Sequence, residues 1–201
     1  MTQQETYTRA VALIDAANAQ DPNSESAEGR DWPKELLYSM RMSEMLERYA
    51  PDADDAQKLA IRAQHIQRWK SPRSDYPMDR KGYHQWRAAL NEFHARTLAA
   101  LLARVGYDAA FIGRVELIVG KKLRKTNSGT QLLEDVAGLV FFEHYLAAFA
   151  AIHPEYNTAK WNDILRRIRR KLSDRAHQFV LAGHIKLPES MAGLIRQAMN
   201  E

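Results

Sequence analysis

The stretch that decides the fold is residues 128–152, whose sequence is SGTQLLEDVAGLVFFEHYLAAFAAI. The pattern Ser128-x-x-Gln131 is a capping box placed ahead of an apolar run, which predicts that a helix begins there. After Asp135 the run is apolar at almost every position, and a helix that is apolar on all sides is buried among other elements. We therefore predict a central helix over about 129–152.

Helical patterns continue on both sides of this stretch. Asp31 is a good N-cap, Pro33 suits a first helical turn, and Gly106 is a plausible C-cap. The other predicted helices cover about 5–19, 31–49, 52–69, 79–105, 108–123, 158–181 and 189–199. Residues 24–30 are predicted as a polar loop, and no strand pattern is recognised. The sequence predicts an all-α fold, one compact domain of about eight helices over residues 1–201.

Composition narrows the class of protein. The 201 residues include no cysteine, which excludes disulfides and cysteine nucleophiles. No apolar run reaches the roughly 18 residues that a membrane span needs, and no signal-peptide pattern opens the chain. We therefore expect a cytoplasmic protein with no membrane association. The net charge is +4, with basic clusters at 121–125 and 166–171. These clusters favour anionic ligands, or they are solvated helix faces.

The segment 63–83, AQHIQRWKSPRSDYPMDRKGY, interleaves basic and aromatic side chains after a predicted helix. Loops of such composition are seldom plain connectors. One interpretation is base stacking with phosphate contacts, as in nucleic-acid binding. The other is a loop that its aromatic residues hold on the protein body, with arginines paired to Asp75 and Asp79. The sequence leaves both interpretations open.

Two histidines are candidate metal ligands. His65 lies four residues from Ile61 and from Trp69, so burial should keep its imidazole neutral, as metal binding requires. His94 has a leucine four residues away on either side and can face the same core. The alternative for His65 is a core histidine bonded to a backbone carbonyl, and for His94 a packed helix residue.

Carboxylates and basic residues complete the candidate set. Glu134 and Asp135 open an almost wholly apolar helix, so each needs a partner, in a structural salt bridge or at a functional site. The candidate phosphate-binding residues are Arg41, Arg68, Arg73, Lys121 and Lys122. The sequence has no phosphate-binding glycine loop, no Gly-x-Ser-x-Gly elbow and no zincin motif.

Three segments carry a resemblance to a known family. Residues 33–42 (PKELLYSMRM), 63–83 and 131–143 (QLLEDVAGLVFFE) resemble the family catalogued as domain of unknown function 4202. The resemblance covers about residues 10–172. It implies a fold similar to that of the family and no established activity.

The order of elements is more distantly similar to that of the HD superfamily, which are all-helical, metal-dependent phosphohydrolases. Gln64-His65 falls where that superfamily has a His-Asp pair, and Asp135 falls where it has a final Asp. Its first His falls within 35–41, where this chain has none, so the ligand set is degenerate. If the resemblance holds, either a different set binds a divalent metal of unknown identity, with His65 and Asp135 as ligands and His94, Glu134 or Glu35 as further ligands, or metal binding has been lost.

Two functions follow as hypotheses. The first is a metal-dependent phosphohydrolase acting on a nucleotide or another phosphorylated small molecule, with Glu134 or Glu35 as base. The second is a binding module, without chemistry, for a nucleotide, an RNA or an acidic protein partner. The sequence does not decide between them, and it gives neither the substrate nor the oligomeric state.

Overall fold

A computed structural model describes residues 2–201 and confirms the all-α class. The α-helices within this range are α1 (Gln3–Asn18), α2 (Lys34–Tyr49), α3 (Asp55–Arg62), α4 (Arg80–Val105), α5 (Ala109–Val119), α6 (Ser128–Val140), α7 (Leu146–Ala151), α8 (Thr158–Arg169), α9 (Asp174–Leu181) and α10 (Glu189–Asn200). The chain divides into two compact units after Leu133, within α6. No helix among these residues is long and apolar enough to cross a membrane.

The first unit contains α1 to α5. α5 packs on α3 and α4, and α1 packs on α2, α3 and α4. Fully buried side chains of this unit include Ile14, Met42, Leu59 and Leu98. α4 begins and ends as predicted, because Asp79 accepts a hydrogen bond from the Gly82 N–H and Gly106 takes the left-handed conformation.

A short antiparallel hairpin precedes α2 and corrects the prediction of a loop at 24–30. Its strands are β1 (Ser24–Ala27) and β2 (Arg30–Pro33). The two turn residues, Glu28 and Gly29, both have positive φ, at 54° and 77°. Such turns favour Asn-Gly or Asp-Gly, so Glu-Gly gives a weak sequence signal. Asp31 lies in β2, so it is not the N-cap of the next helix as the sequence predicted.

The helix predicted over 52–69 is wrong in its second half. α3 ends at Arg62, and residues 63–70 form successive tight turns with bonds from Ile66 N–H to Ala63 C=O and from Arg68 N–H to His65 C=O. His65 therefore lies in a turn and not on a helix between Ile61 and Trp69. The prediction failed because the turn depends on a partner from α1, which is described with the site below.

The second unit contains the rest of α6 and the helices α7 to α10. A π-helical turn, Phe141–Tyr145, interrupts the helix predicted over 129–152. The helix predicted over 158–181 breaks into α8 and α9, because Ser173 starts a new helix by accepting from Ala176 N–H. These two interruptions turn the predicted eight helices into ten.

Leu172 lies in the break between α8 and α9 and packs against α6. Leu172 lies against Gly138 so closely that a Cβ on Gly138 would come 2.6 Å from the Leu172 Cδ2. The absence of a side chain at Gly138 leaves room for Leu172, which is buried in the core of the unit. α10 packs on both α8 and α9.

Candidate functional site

Glu35 lies in the first turn of α2, and buried polar groups fix its backbone. Its N–H donates to Asp21 Oδ2 at 3.0 Å, and its C=O accepts from Ser39 Oγ at 2.9 Å. Ser39 in turn accepts from Asn18 Nδ2 at 2.7 Å. The Glu35 side chain is 9% exposed. A carboxylate in such a place requires nearby donors.

The turn that carries His65 is held by the same asparagine. Asn18 Oδ1 accepts from Gln67 N–H at 2.9 Å, and Gln67 adopts a left-handed φ of 50° that costs a residue with a Cβ some stability. Tyr38 stacks on the His65 ring with centroids 4.3 Å apart and planes 14° apart. The Tyr38 hydroxyl donates to Gln64 Oε1 at 3.2 Å. Asn18 thus sets the position of His65 relative to α2.

Arg68, His65 and Glu35 form a chain of polar contacts. Arg68 Nη1 lies 2.9 Å from His65 Nε2, and His65 Nδ1 lies 3.4 Å from Glu35 Oε2. Because a guanidinium only donates, Nε2 accepts, so the neutral imidazole carries its proton on Nδ1 and directs it at Glu35. In the structure His65 thus contacts two charged side chains and not a backbone carbonyl.

Burial raises the pKa of Glu35 and lowers the pKa of His65. Desolvation raises the pKa of Glu35 to about 7, although the Arg68 charge opposes this. Desolvation, followed by the Arg68 charge, holds the pKa of His65 well below its ordinary value. His65 is therefore neutral at neutral pH, as the sequence predicted, while Glu35 exchanges its proton there. A carboxyl that titrates near pH 7 is suited to general acid–base chemistry.

The structure also brings His94 to His65. Their ring centroids lie 5.9 Å apart, and His94 is buried in α4 with 3% exposure. Burial, with the charges of Arg68, Arg87 and Lys121, lowers the pKa of His94 to about 3. Its Nε2 has no hydrogen-bond partner among residues 2–201.

A cleft of about 450 Å³ opens beside the side chains of Glu35 and Arg68. Glu35 and Arg68 line it, together with Lys34, Arg73 and Trp86. The remaining lining residues are Pro22, Asn23, Trp69, Ser71 and Pro72. This volume falls in the range of small-molecule sites.

Trp86 contacts both the loop backbone and the two arginines that line the cleft. Its Nε1 donates to the Ser71 C=O at 2.9 Å, and the guanidiniums of Arg68 and Arg73 lie 5.2 and 5.9 Å from its ring centre. Arg73 donates to the backbone carbonyls of Tyr76 and Asp79 at 3.0 and 3.2 Å. The loop is therefore held by an aromatic anchor, as one interpretation proposed, but Arg73 pairs with carbonyls and not with aspartates.

Three of the five predicted phosphate-binding residues do not line this cleft. Arg41 forms a salt bridge with Glu25 of the hairpin. Lys122 is exposed and lines a separate groove beside α4 and α5. Lys121 has a left-handed φ of 55°, and its charge lowers the pKa of both His65 and His94. Of the five, Arg68 and Arg73 line the cleft.

Glu134 and Asp135 belong to the second unit, whereas His65 and His94 belong to the first. Both Asp135 oxygens accept from Ser173, from N–H at 2.8 Å and from Oγ at 2.5 Å, at the start of α9. Glu134 is half-buried beside it. Asp135 therefore has hydrogen-bond partners within its own unit.

Other groups engage several donor atoms of the predicted metal ligands. Among residues 2–201 no group of three or more His, Asp or Glu side chains lies together as a metal site requires. A guanidinium occupies the approach to His65 Nε2, and Ser173 engages both oxygens of Asp135. These placements do not fit a ligand set, so the divalent metal stays a prediction and no chemical step is derived through it.

Sequence reasoning missed several residues that build the site. Tyr38 follows Glu35 by three positions and so shares its helix face, a spacing that could have found it. Lys34 adjoins Glu35 but gave no signal of its own. Asn18 and Asp21 act from the end of α1 across a long stretch of sequence, and no local pattern reports such bonds.

The sequence profile described as domain of unknown function (DUF4202) matches residues 8–195. The chain belongs to this family. DUF4202 thus covers both structural units and almost the whole chain, further than the resemblance over about 10–172 suggested. No curated protein and no solved structure matches the chain.

Proposed function

We propose that this DUF4202 protein binds a phosphorylated small molecule of the nucleotide class in the cleft beside Glu35. One observation carries the proposal: Lys34, Arg68 and Arg73 line a cleft of about 450 Å³ with a single carboxyl. Three cations against one acid favour an anion, and guanidiniums match the geometry of phosphate oxygens. Trp69 adds an aromatic surface for the uncharged part of the ligand.

Glu35 gives the cleft a group that could perform chemistry. With a pKa of about 7 it is half-protonated at neutral pH, and it lines the same cleft as the basic residues. A general acid or base must come within hydrogen-bond reach of the reacting group. We infer that Glu35 exchanges a proton with the bound phosphate ester or with a water beside it. His65 and Arg68 position its carboxyl.

From the phosphohydrolase hypothesis, this proposal keeps the phosphorylated ligand and a carboxyl that exchanges protons. The likeness to the HD superfamily and the divalent metal remain predictions, as does the cytoplasmic location. The RNA-binding hypothesis finds less support, since the volume of the cleft suits a small ligand.

Isothermal titration calorimetry with inorganic phosphate and adenosine monophosphate tests the proposal. We expect wild type to bind both probes, and Arg68→Gln and Arg73→Gln to weaken binding about tenfold or more, because each removes a charge-assisted contact. Arg96→Gln is the matched control, since Arg96 is exposed on α4 and paired to Glu92 at 3.8 Å.

Two results would contradict the proposal. One is that wild type binds neither probe at concentrations on the order of 10 mM. The other is that Arg96→Gln weakens binding as much as the cleft variants, which would indicate general charge attraction. Repeating the titration with a chelator and with added Mn²⁺ shows whether binding uses a metal, and binding that falls steeply with salt would indicate nucleic-acid-like contacts.

A further inference from the structure

Two tryptophans line the cleft, and one of them has a ring that is available to a ligand. Trp86 is buried, and the guanidiniums of Arg68 and Arg73 lie 5.2 and 5.9 Å from its ring centre. Trp69 is half-buried, and among residues 2–201 its indole stacks on no aromatic ring and on no cation. Its ring is therefore the aromatic surface that the cleft offers to a flat, uncharged group.

Asn23 lines the same cleft with a side-chain amide whose orientation is fixed. Its Nδ2 donates to Asp21 Oδ1 at 2.8 Å, and because a carboxylate only accepts, the nitrogen is the amide atom that faces Asp21. The carbonyl oxygen Oδ1 faces away from Asp21, and within the described range 2–201 it accepts no hydrogen bond. Because Asn23 is exposed, this oxygen is an acceptor that a ligand can reach.

The backbone around Asn23 is also held in place. Asp21 Oδ1 accepts from the Asn23 N–H at 2.9 Å, and the Asn23 C=O accepts from the Lys34 N–H at 2.9 Å. The second oxygen of Asp21 accepts from the Glu35 N–H at 3.0 Å. One carboxylate thus fixes both the amide of Asn23 and the helical turn that carries Glu35. An acceptor that is already ordered loses little entropy when a ligand binds, so it suits a role in specificity.

We propose that Trp69 and Asn23 select the base of the bound nucleotide. Trp69 stacks on the ring, and Asn23 Oδ1 accepts a hydrogen bond from an exocyclic amino group. This proposal rests on the proposed function, because Arg68 and Arg73 bind the phosphate of the same ligand. The ligand class is a nucleotide with an amino-substituted base, such as adenine. A base without the amino group binds more weakly, because Oδ1 then loses water without gaining a donor.

Calorimetry on the full chain compares three probes that differ in one feature at a time. Adenosine monophosphate has the base and its amino group, purine riboside monophosphate lacks the amino group, and ribose 5-phosphate lacks the base. We expect wild type to bind purine riboside monophosphate about tenfold more tightly than ribose 5-phosphate, through stacking. Adenosine monophosphate should bind about fivefold more tightly again, through one hydrogen bond.

Two variants remove these preferences separately. Asn23→Ala should bring the affinities for adenosine monophosphate and purine riboside monophosphate within about twofold of each other. Trp69→Leu should do the same for purine riboside monophosphate and ribose 5-phosphate. Both variants should bind inorganic phosphate as wild type does, which a misfolded cleft would not. If Trp69→Leu fails to fold, Trp69→Phe keeps a smaller ring, and its preference should be intermediate. Asn91→Ala is the matched control, since Asn91 lines a separate groove.

The outcomes separate selection of the base from binding of the phosphate. Equal affinity of wild type for all three probes, with phosphate binding still weakened in Arg73→Gln, would overturn the selection and leave the anion site intact. An equal loss of preference in Asn23→Ala and Asn91→Ala would overturn the role of Asn23. No binding of any probe by wild type, inorganic phosphate included, would overturn both proposals.

Discussion

Replacing Glu35 with glutamine removes a carboxyl whose pKa burial raises from 4.5 to about 7. Between these values folded Glu35 keeps its proton while the unfolded chain loses it, so the folded state binds more protons. The contribution of Glu35 to the free energy of unfolding is therefore fully present below pH 4.5 and is lost as the pH rises through 7. A shift of this size corresponds to about 3 kcal/mol.

The expected result is a pH-dependent difference between variant and wild type. Glutamine does not titrate, so Glu35→Gln should gain about 3 kcal/mol of stability relative to wild type between pH 4.5 and pH 8. Urea unfolding followed by circular dichroism measures this difference at each pH. The titration of His94 is present in both proteins and cancels to first order in the comparison.

A matched control and one clear outcome make this prediction refutable. Glu44 is exposed on the same helix α2, and the difference between Glu44→Gln and wild type should vary by less than about 0.5 kcal/mol over the same pH range. If the Glu35→Gln difference is equally flat, the carboxyl does not titrate near neutral pH. The role of Glu35 in proton exchange would then fail with it.

Three further predictions concern single sites. His94 should remain neutral down to about pH 4, since burial lowers its pKa to about 3, and histidine NMR titration should find no resonance of it that titrates near pH 6.5. Asp135→Ala should lower the free energy of unfolding by about 2–4 kcal/mol, through the loss of two hydrogen bonds to Ser173, with or without ligand; thermal unfolding measures this, and an unchanged midpoint would contradict it. Gly82→Ala should destabilise by about 1–3 kcal/mol, because its Cβ would lie 2.1 Å from the Pro77 carbonyl oxygen; a fully stable variant would refute that close approach.

The sequence predicted the elements whose signals are local. The all-α class follows from helical periodicity. Both ends of α4 were predicted correctly, with Gly106 as its C-cap, and the structure adds Asp79 as its N-cap. The hairpin at 24–33 was not predicted, because Glu28-Gly29 is an unusual turn pair and strands of four residues give a short pattern. The break before α9 escaped because Ser173 depends on Asp135, 38 residues earlier.

The candidate site could be predicted in part. His65, Arg68 and His94 were singled out by type and local environment, and Glu35 was named only through the resemblance to the HD superfamily. The structure brings these four residues together in one unit. Their relative positions depend on Asn18, which bonds residues 21 and 49 positions away. Local patterns contain no signal for such contacts, so the sequence could not tell which arginines line the cleft.

The central claim is that a phosphorylated small molecule binds beside a Glu35 carboxyl that titrates near neutral pH. A ¹³C NMR titration of the Glu35 side chain, with and without adenosine monophosphate, tests both parts at once. The account predicts a midpoint near 7 in the free protein, which the bound anion raises further, and no such rise in Arg73→Gln. A midpoint near 4.5 that adenosine monophosphate leaves unchanged would contradict it.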